Sequence, residues 1–410
     1  MKRTYFFFIG LILIVGLRLL FVAYLPASQT VKYHLEGLGD EPAHFNYIKF
    51  LEKNRSFPVQ TTTYKTPGAS IRNDFEYFQP PIYYLIGAIG VMLGGGLYLC
   101  RMMSFICGIL SLWLIALIFK RMGTPRDVQA AGVLFCGFFP SHVYFCSVVS
   151  NDSMSWLIAL ALTYFCMGSS SPCTFPGPAP DFPWRKSLII SALLGLGSLT
   201  KSSLLLFYPI VAACFFYSWL HYKKNKILLR MVLTLGCALC INIPWFFRNY
   251  QIYQSFTGLS YLNGPEVSYP HLLSFEGFFL FLKTSVRYFW FPMQHIPISF
   301  YHKTLGMVGA CILIGIIILS IRYIVKEKRL SFGHVLLIGI LLITIAAYVQ
   351  YNLVWGNREG RFLFPALSSI VFFITAPIYS MVKENKSKRL YFSTILFIGV
   401  WGYSYLLLTF

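Results

Sequence analysis

A chain of 410 residues that is 57% hydrophobic, 18% aromatic and only 12% charged, with a mean hydropathy of +0.64, cannot cover its apolar surface in a soluble fold. Its net charge of +20 is gathered between apolar runs, at Lys120-Arg121, Lys223-Lys224-Lys226, Lys326 to Arg329 and Lys383 to Arg389. That is the positive-inside pattern of cytoplasmic turns touching membrane lipids, and it argues against a nucleic-acid partner. The class predicted is an all-α polytopic membrane protein. Nine of the ten cysteines fall within or at the ends of apolar segments, so no disulfide framework is implied. Cys237 and Cys240, spaced C-x-x-C in an apolar helix, read as core packing.

Taken in order, Met1-Lys2-Arg3 and the apolar run after it predict a retained first helix over about 5–25, amino end inside. Arg18 lies deep within it. An ionisable residue there is costly unless it faces the bundle or a polar cavity, so a structural partner and a phosphate-facing role are equally open. Residues 26–80 are too polar to span, and 41–53 reads as a surface helix with Phe45, Ile48 and Leu51 on one side. The apolar stretch 81–94 gives only about 21 Å of helix at 1.5 Å per residue. If it crossed, every later basic cluster would fall outside, so 81–96 is predicted to stay on the outer surface.

Crossings then follow at roughly 98–119, 128–148, 153–169, 187–200, 202–220, 228–247, 304–325, 334–354, 362–382 and 390–409, about eleven with the first. The chain reads as one membrane-embedded domain. It comprises a first outer loop at 26–97, a long outer loop at 248–303 and C-terminal helices over 304–410. A cytoplasmic link spans 170–186 and contains Cys173, and an amphipathic interfacial helix is predicted at 274–290.

Carboxylates are scarce and crowded: Asp40, Glu41, Glu52, Asp74 and Glu76 supply five of the 14 acids from one loop. Under this topology they share the outer face with His44, Asp152, Lys201, Arg248, Arg358, Glu359 and Arg361. Acids facing cations suit transfer from a phosphorylated lipid, in which a base takes the proton of the acceptor and cations hold the charge growing on the leaving phosphate. Taken singly, each piece has a plainer reading. Asn151-Asp152-Ser153 makes an N-cap, Gln79-Pro80-Pro81 a helix start, Lys201 and Arg361 snorkelling bases, and His142 a hydrogen-bonded core histidine.

The ordered set resembles the GT-C glycosyltransferases. Asp40-Glu41-x-x-His44-Phe45 is similar to the Asp-Glu motif of that superfamily, and Glu76-x-x-Gln79-Pro80-Pro81-Ile82-Tyr83-Tyr84 to a run of its bacterial branch. That branch is related to protein O-mannosyltransferases and lipid A aminoarabinose transferases. Further matches are Arg101-x-x-Ser104, Ser150-Asn151-Asp152, Gly195-x-x-x-Leu199-Thr200-Lys201, Pro244-Trp245-x-x-Arg248-Asn249 and Gly360-Arg361-x-x-x-Pro365. The resemblance implies a GT-C bundle of about eleven transmembrane helices with juxtamembrane helices in the first outer loop. It implies Asp40 and Glu41 as catalytic carboxylates, and His44, Gln79, Lys201, Arg248, Arg358 and Arg361 as donor- or acceptor-binding residues. No D-x-D motif is present; were a divalent metal ion to bind, Glu76, Asp152 and His44 are its expected ligands. The expected activity is inverting transfer of a sugar from a polyprenyl-phosphate donor to a lipid, glycan or protein acceptor, at the outer face of the cytoplasmic membrane. A lipid-glycan flippase or a non-catalytic binder of lipid-linked sugars is the alternative.

Overall fold

The computed structural model describes residues 2–25, 40–61, 76–167, 179–259, 272–290, 300–326, 330–355, 358–384 and 390–398. Asp74, Cys173 and the terminal part of the 390–409 crossing lie outside the described residues, as do parts of the first outer loop, the 170–186 link and the long outer loop. The described part is helical, without a β-strand. In chain order the helices are α1 (Lys2–Tyr24), α2 (Glu41–Asn54), α3 (Ile82–Met92), α4 (Leu97–Arg121), α5 (Arg126–Phe138), α6 (Pro140–Phe145), α7 (Asn151–Cys166) and α8 (Trp184–Ser198). They continue with α9 (Phe207–Tyr222), α10 (Asn225–Tyr253), α11 (Phe275–Trp290), α12 (Phe300–Lys326), α13 (Phe332–Trp355) and α14 (Leu367–Glu384). Short 3-10 turns at Ser202–Leu206 and Gly360–Ala366 lead into α9 and α14.

Seven segments among the described residues are long and apolar enough to cross a membrane, and the chain is an integral membrane protein. Their outer surfaces carry Ile12, Leu13, Trp113, Val232, Ile243 and Leu342, all more than half exposed, as a lipid-facing surface requires. Three predicted crossings are built differently. The 128–148 run is not one helix: Phe139 is extended and Pro140, which has no N–H to continue the ladder, starts α6 as a separate turn. Helices α7 and α8 have only 16 and 15 residues, about 24 Å at 1.5 Å per residue.

The 81–96 stretch forms the 11-residue α3 and ends at Gly94, whose φ of +91° suits the residue without a Cβ. It packs on α2, with Gly87 closed over Ile48, and the two make a small layer beside the bundle. Tyr47 and Tyr84 stack between them with ring centroids 4.0 Å apart. Cys237 and Cys240 are exposed on the outer side of α10, a correction to their reading as core. The helix face that packs inward carries Thr234, Ala238 and Asn242 instead, spaced four apart.

Arg18 proves structural. It is fully buried, with Nη2 donating to the Cys136 and Gly137 carbonyls at 3.4 and 3.2 Å and lying 2.8 Å from His142 Nδ1. The end of α5 at the Phe139–Pro140 break supplies those carbonyls, and the Cys136 carbonyl also accepts from the Phe139 N–H at 3.3 Å.

The two ends of the bundle differ in charge. Arg121, closing α4, donates to the Tyr164 carbonyl near the end of α7 at 2.5 Å, and Arg230 of α10 donates to Phe182 beside the start of α8 at 2.8 Å. The opposite ends of these helices hold the start of α7 at Asp152, the end of α8 at Lys201 and the end of α10 at Asn249. Basic turns thus mark one end, and the acid-rich loop is gathered at the other.

Candidate active site

Asp40 is the residue just before α2, and its Oδ2 accepts from Arg361 Nη2 at 2.6 Å across 321 residues of sequence. Arg361 enters from the 3-10 turn that precedes α14. Its Nη1 lies 3.5 Å from Asp152 Oδ2, its Nε is paired with Glu359, and its guanidinium sits over the Phe145 ring at 4.8 Å. Asp152 Oδ1 accepts from Lys201 Nζ at 2.5 Å. Ser150, not Asn151, caps α7, its Oγ accepting from the Asp152 N–H at 3.2 Å. One guanidinium is thus bracketed by three carboxylates from three separate parts of the chain.

The turn that holds Arg361 is fixed by packing. Phe364 lies against Trp156 at 4.7 Å, Phe139 at 5.6 Å and Phe289 at 5.7 Å, and Gly360 rides directly on the backbone of Phe289. A Cβ at Gly360 would overlap the Phe289 N and Cα, which cannot turn aside as a side chain could. Gly360→Ala should therefore shift this turn and cost about 1–3 kcal/mol by overpacking. The expected signature is a lowered unfolding temperature together with loss of any activity that needs Arg361.

His44 and Glu76 complete the inner side. His44 Nδ1 is 2.7 Å from the Tyr84 hydroxyl, which leaves Nε2 as its candidate ligand atom. Gln79 bonds the Glu76 carboxyl through its side chain and Glu76 O through its N–H at 3.0 Å, while Glu76 Oε2 is buried without a hydrogen-bond partner. One ligand atom from each of Asp40, His44 and Glu76 lies within 4.8 Å of the others, a group that could hold a metal ion. The orphaned carboxylate oxygen and the tyrosine hydroxyl that holds the far nitrogen of the histidine both fit such a role. Two oxygens and one nitrogen suit a divalent cation of the magnesium, manganese or zinc type. The expected ligand set changes accordingly: Asp40 takes the place of Asp152, whose two oxygens are engaged by Lys201 and Arg361.

The titratable groups separate. Burial would raise Asp40, but the charges of Arg361 and Lys201 outweigh it and hold its carboxyl below the usual value of 3.8. Burial, then the neighbouring Asp40 charge, pushes Glu76 up to about 8. Burial raises Glu359 to about 7 against the pull of Arg361, and burial lowers His44 to about 4. At neutral pH the site therefore carries ionised Asp40 beside a protonated Glu76 and a neutral His44.

Other expected site residues are placed elsewhere. Glu41 turns away from Asp40 and is bound edge-on by Arg101, Nε to Oε1 at 2.8 Å and Nη2 to Oε2 at 2.7 Å. It also accepts from the Val149 N–H at 2.8 Å. Arg101 Nη1 in turn donates to the Val22 and Leu25 carbonyls at 3.1 and 2.8 Å. Arg248 donates to the Pro58 carbonyl at 2.5 Å and lies over Trp245 at 4.7 Å, tying the segment after α2 to α10. Arg358 is buried at the start of the Arg361 turn. Gln79 Oε1 accepts from Asn151 Nδ2 at 3.5 Å. Arg101, Glu359 and Tyr84 were not singled out for these roles from sequence. Each stood in a motif or in the outer-face set without a role assigned to it, and Arg101 carried a further signal as a charge inside an otherwise apolar run.

No family model matches the sequence and none of the curated proteins does, but solved structures do. The Archaeoglobus fulgidus oligosaccharyltransferase in its apo form superposes with a TM-score of 0.50 at 12% identity, over 98% of this chain and 55% of that one. The same archaeal protein, AglB, in complex with an inhibitory peptide and a dolichol-phosphate, gives a TM-score of 0.50 at 14% identity over the same shares. The fold is GT-C. This chain spans about half the length of those GT-C structures, and at such low identity the likeness is one of fold.

Proposed function

We propose that this GT-C chain is an inverting glycosyltransferase that moves a sugar from a polyprenyl-phosphate donor to a lipid, glycan or protein acceptor. The reaction would take place at the outer face of the cytoplasmic membrane. The observation that carries this reading is the Arg361 guanidinium gathered with Lys201 among Asp40, Asp152 and Glu359, at the bundle end opposite the basic turns. That the fold neighbour AglB was solved with a dolichol-phosphate supports a lipid-phosphate donor here.

In the proposed reaction the acceptor oxygen or nitrogen forms a bond to the anomeric carbon as the bond from that carbon to the phosphate oxygen breaks. The acceptor proton passes to Asp40, and the electron pair leaves with the phosphate. A single displacement inverts the anomeric centre, as in inverting glycosidases. Arg361 and Lys201 are preorganised cations for the phosphate charge. A phosphate that draws Arg361 toward itself would also loosen its hold on Asp40 and make that carboxylate a better base.

A divalent metal held by Asp40, His44 and Glu76 would add Lewis-acid stabilisation of charge at the same place. Its binding carries a proton signature. At neutral pH His44 has no proton to give up, whereas Glu76 must lose one, so apparent affinity should rise about tenfold per pH unit from 6 toward 8 and then level off. Titration calorimetry with Mn²⁺ or Zn²⁺ in buffers of different ionisation enthalpy measures both the slope and the proton released. Glu76→Gln should weaken binding and flatten the slope; an unchanged slope in that variant would remove Glu76 from the ligand set.

The reading itself is tested by incubating the purified protein with a panel of polyprenyl-phosphate sugars and following release of the polyprenyl phosphate. Turnover of at least one donor, with an inverted product, is expected. Movement of intact donors across vesicles without cleavage would support the flippase reading instead.

A further inference from the structure

The end of the bundle that carries the basic turns holds a feature that sugar transfer does not use. Pro377 sits inside α14 and has no N–H, so the Phe373 carbonyl four residues earlier loses its helical donor. Ser320 Oγ of α12 stands 2.7 Å from that carbonyl and 2.7 Å from its own Ile316 carbonyl, and its proton serves both. This strap lays α12 and α14 side by side near their carboxyl ends. Beyond it a small, open surface cleft lies between them, with Arg322, Tyr323, Lys326, Pro377, Ser380 and Met381 among its lining residues.

Arg322 and Lys326 are four residues apart, hence on one face of α12, and both are exposed. The surrounding surface is apolar: Ile318, Ile321, Val325 and Met381 are 59%, 57%, 77% and 41% exposed. In an integral membrane protein such a surface faces acyl chains. Bases at the last turn of a helix do complement its dipole, and they can snorkel to the headgroup level without any particular ligand. Neither effect requires a cleft, nor two hydroxyls beside the bases.

We propose that this cleft is a binding site for one anionic phospholipid of the cytoplasmic leaflet. Arg322 and Lys326 take the headgroup phosphate and the Ser380 hydroxyl donates to it. Tyr323, whose hydroxyl is also 3.5 Å from His334 Nε2, closes the inner side. The acyl chains lie over Ile318, Ile321 and Met381. Free phosphate would satisfy the bases but not the apolar wall, and a zwitterionic lipid would satisfy the wall but bring a cation to the bases. Basic pockets between membrane helices on the cytoplasmic side recognise anionic headgroups in this manner.

The test uses the full chain in a neutral detergent. Native mass spectrometry counts retained lipid and thermal unfolding is followed, with dioleoyl phosphatidylglycerol, dioleoyl phosphatidylcholine or inorganic phosphate added. Phosphatidylglycerol should give one tightly retained lipid and a rise in unfolding temperature, and the other two should give neither. Arg322→Gln with Lys326→Gln should weaken phosphatidylglycerol binding about thirtyfold while leaving the lipid-free unfolding temperature close to that of the parent, because both side chains are exposed. Lys223→Gln with Lys224→Gln, at another basic turn, should leave the binding intact. Equal retention of phosphatidylcholine, equal stabilisation by inorganic phosphate, or an undiminished response in the Arg322/Lys326 variant would each overturn the proposal.

Discussion

Glu41→Gln is expected to destabilise the protein by about 3–5 kcal/mol, the usual cost of breaking one side of a buried ion pair. Arg101 is fully buried and Glu41 is 5% exposed. The amide would leave the guanidinium without a counter-charge while it still faces the Val22 and Leu25 carbonyls and the Glu41 amide oxygen. Expression and unfolding temperature in detergent should both fall sharply. Activity per folded molecule should fall much less, since Glu41 does not touch the Arg361 cluster. A double variant, Glu41→Leu with Arg101→Met, removes both charges together and should recover part of the lost stability. If Glu41→Gln folds normally but transfers nothing, the pair is not the strut described here and Glu41 belongs to the chemistry.

Asp40→Asn should show the opposite pattern. Its carboxylate keeps 35% of its surface exposed although Arg361 keeps only 9%, so solvent screens the pair in part. Arg361 keeps Asp152 and Glu359 when Asp40 is neutralised, so no charge is orphaned. The unfolding temperature should hardly move. Release of polyprenyl phosphate from a cleaved donor should fall by about 10²–10⁴-fold, the range that a positioned general base supplies. Wild-type turnover in Asp40→Asn would remove this residue from the mechanism proposed above.

The contrast between these neighbouring acids also shows what a sequence can convey. As letters, Asp40-Glu41 reads as one motif, and both were expected at the reaction centre. Successive residues entering a helix point about 100° apart. Asp40 consequently turns to Arg361 and Glu41 to Arg101, partners 321 and 60 residues away. Pairings that distant leave no trace in local spacing.

The membrane class, the helices over 41–53 and within 81–96 and the opposed charge of the two bundle ends were legible, because hydropathy and basic clusters show directly in the residue pattern. The break at Phe139–Pro140 was harder to see, since apolar residues continue on both sides of it. Only the proline and the buried Arg18, waiting for carbonyls, hinted that the helix stops there. Glu359 was expected on the same face as Arg361, but its burial and its pairing with that guanidinium cannot be read from a short polar stretch.

The bonds that close the acid cluster also set an order for biosynthesis. Asp152 and Lys201 are 49 residues apart and Glu41 and Arg101 are 60 apart, so these pairs can form while the first half of the chain is entering the membrane. Arg361 arrives almost last, after twelve of the fourteen helices numbered here have been followed by a thirteenth. A nascent chain halted before that turn would hold a finished α1–α2–α4 corner and an Asp40 with no guanidinium beside it. The pair of Arg361 with Asp40 would then form as one late event, when the turn that precedes α14 docks against the residue that opens α2.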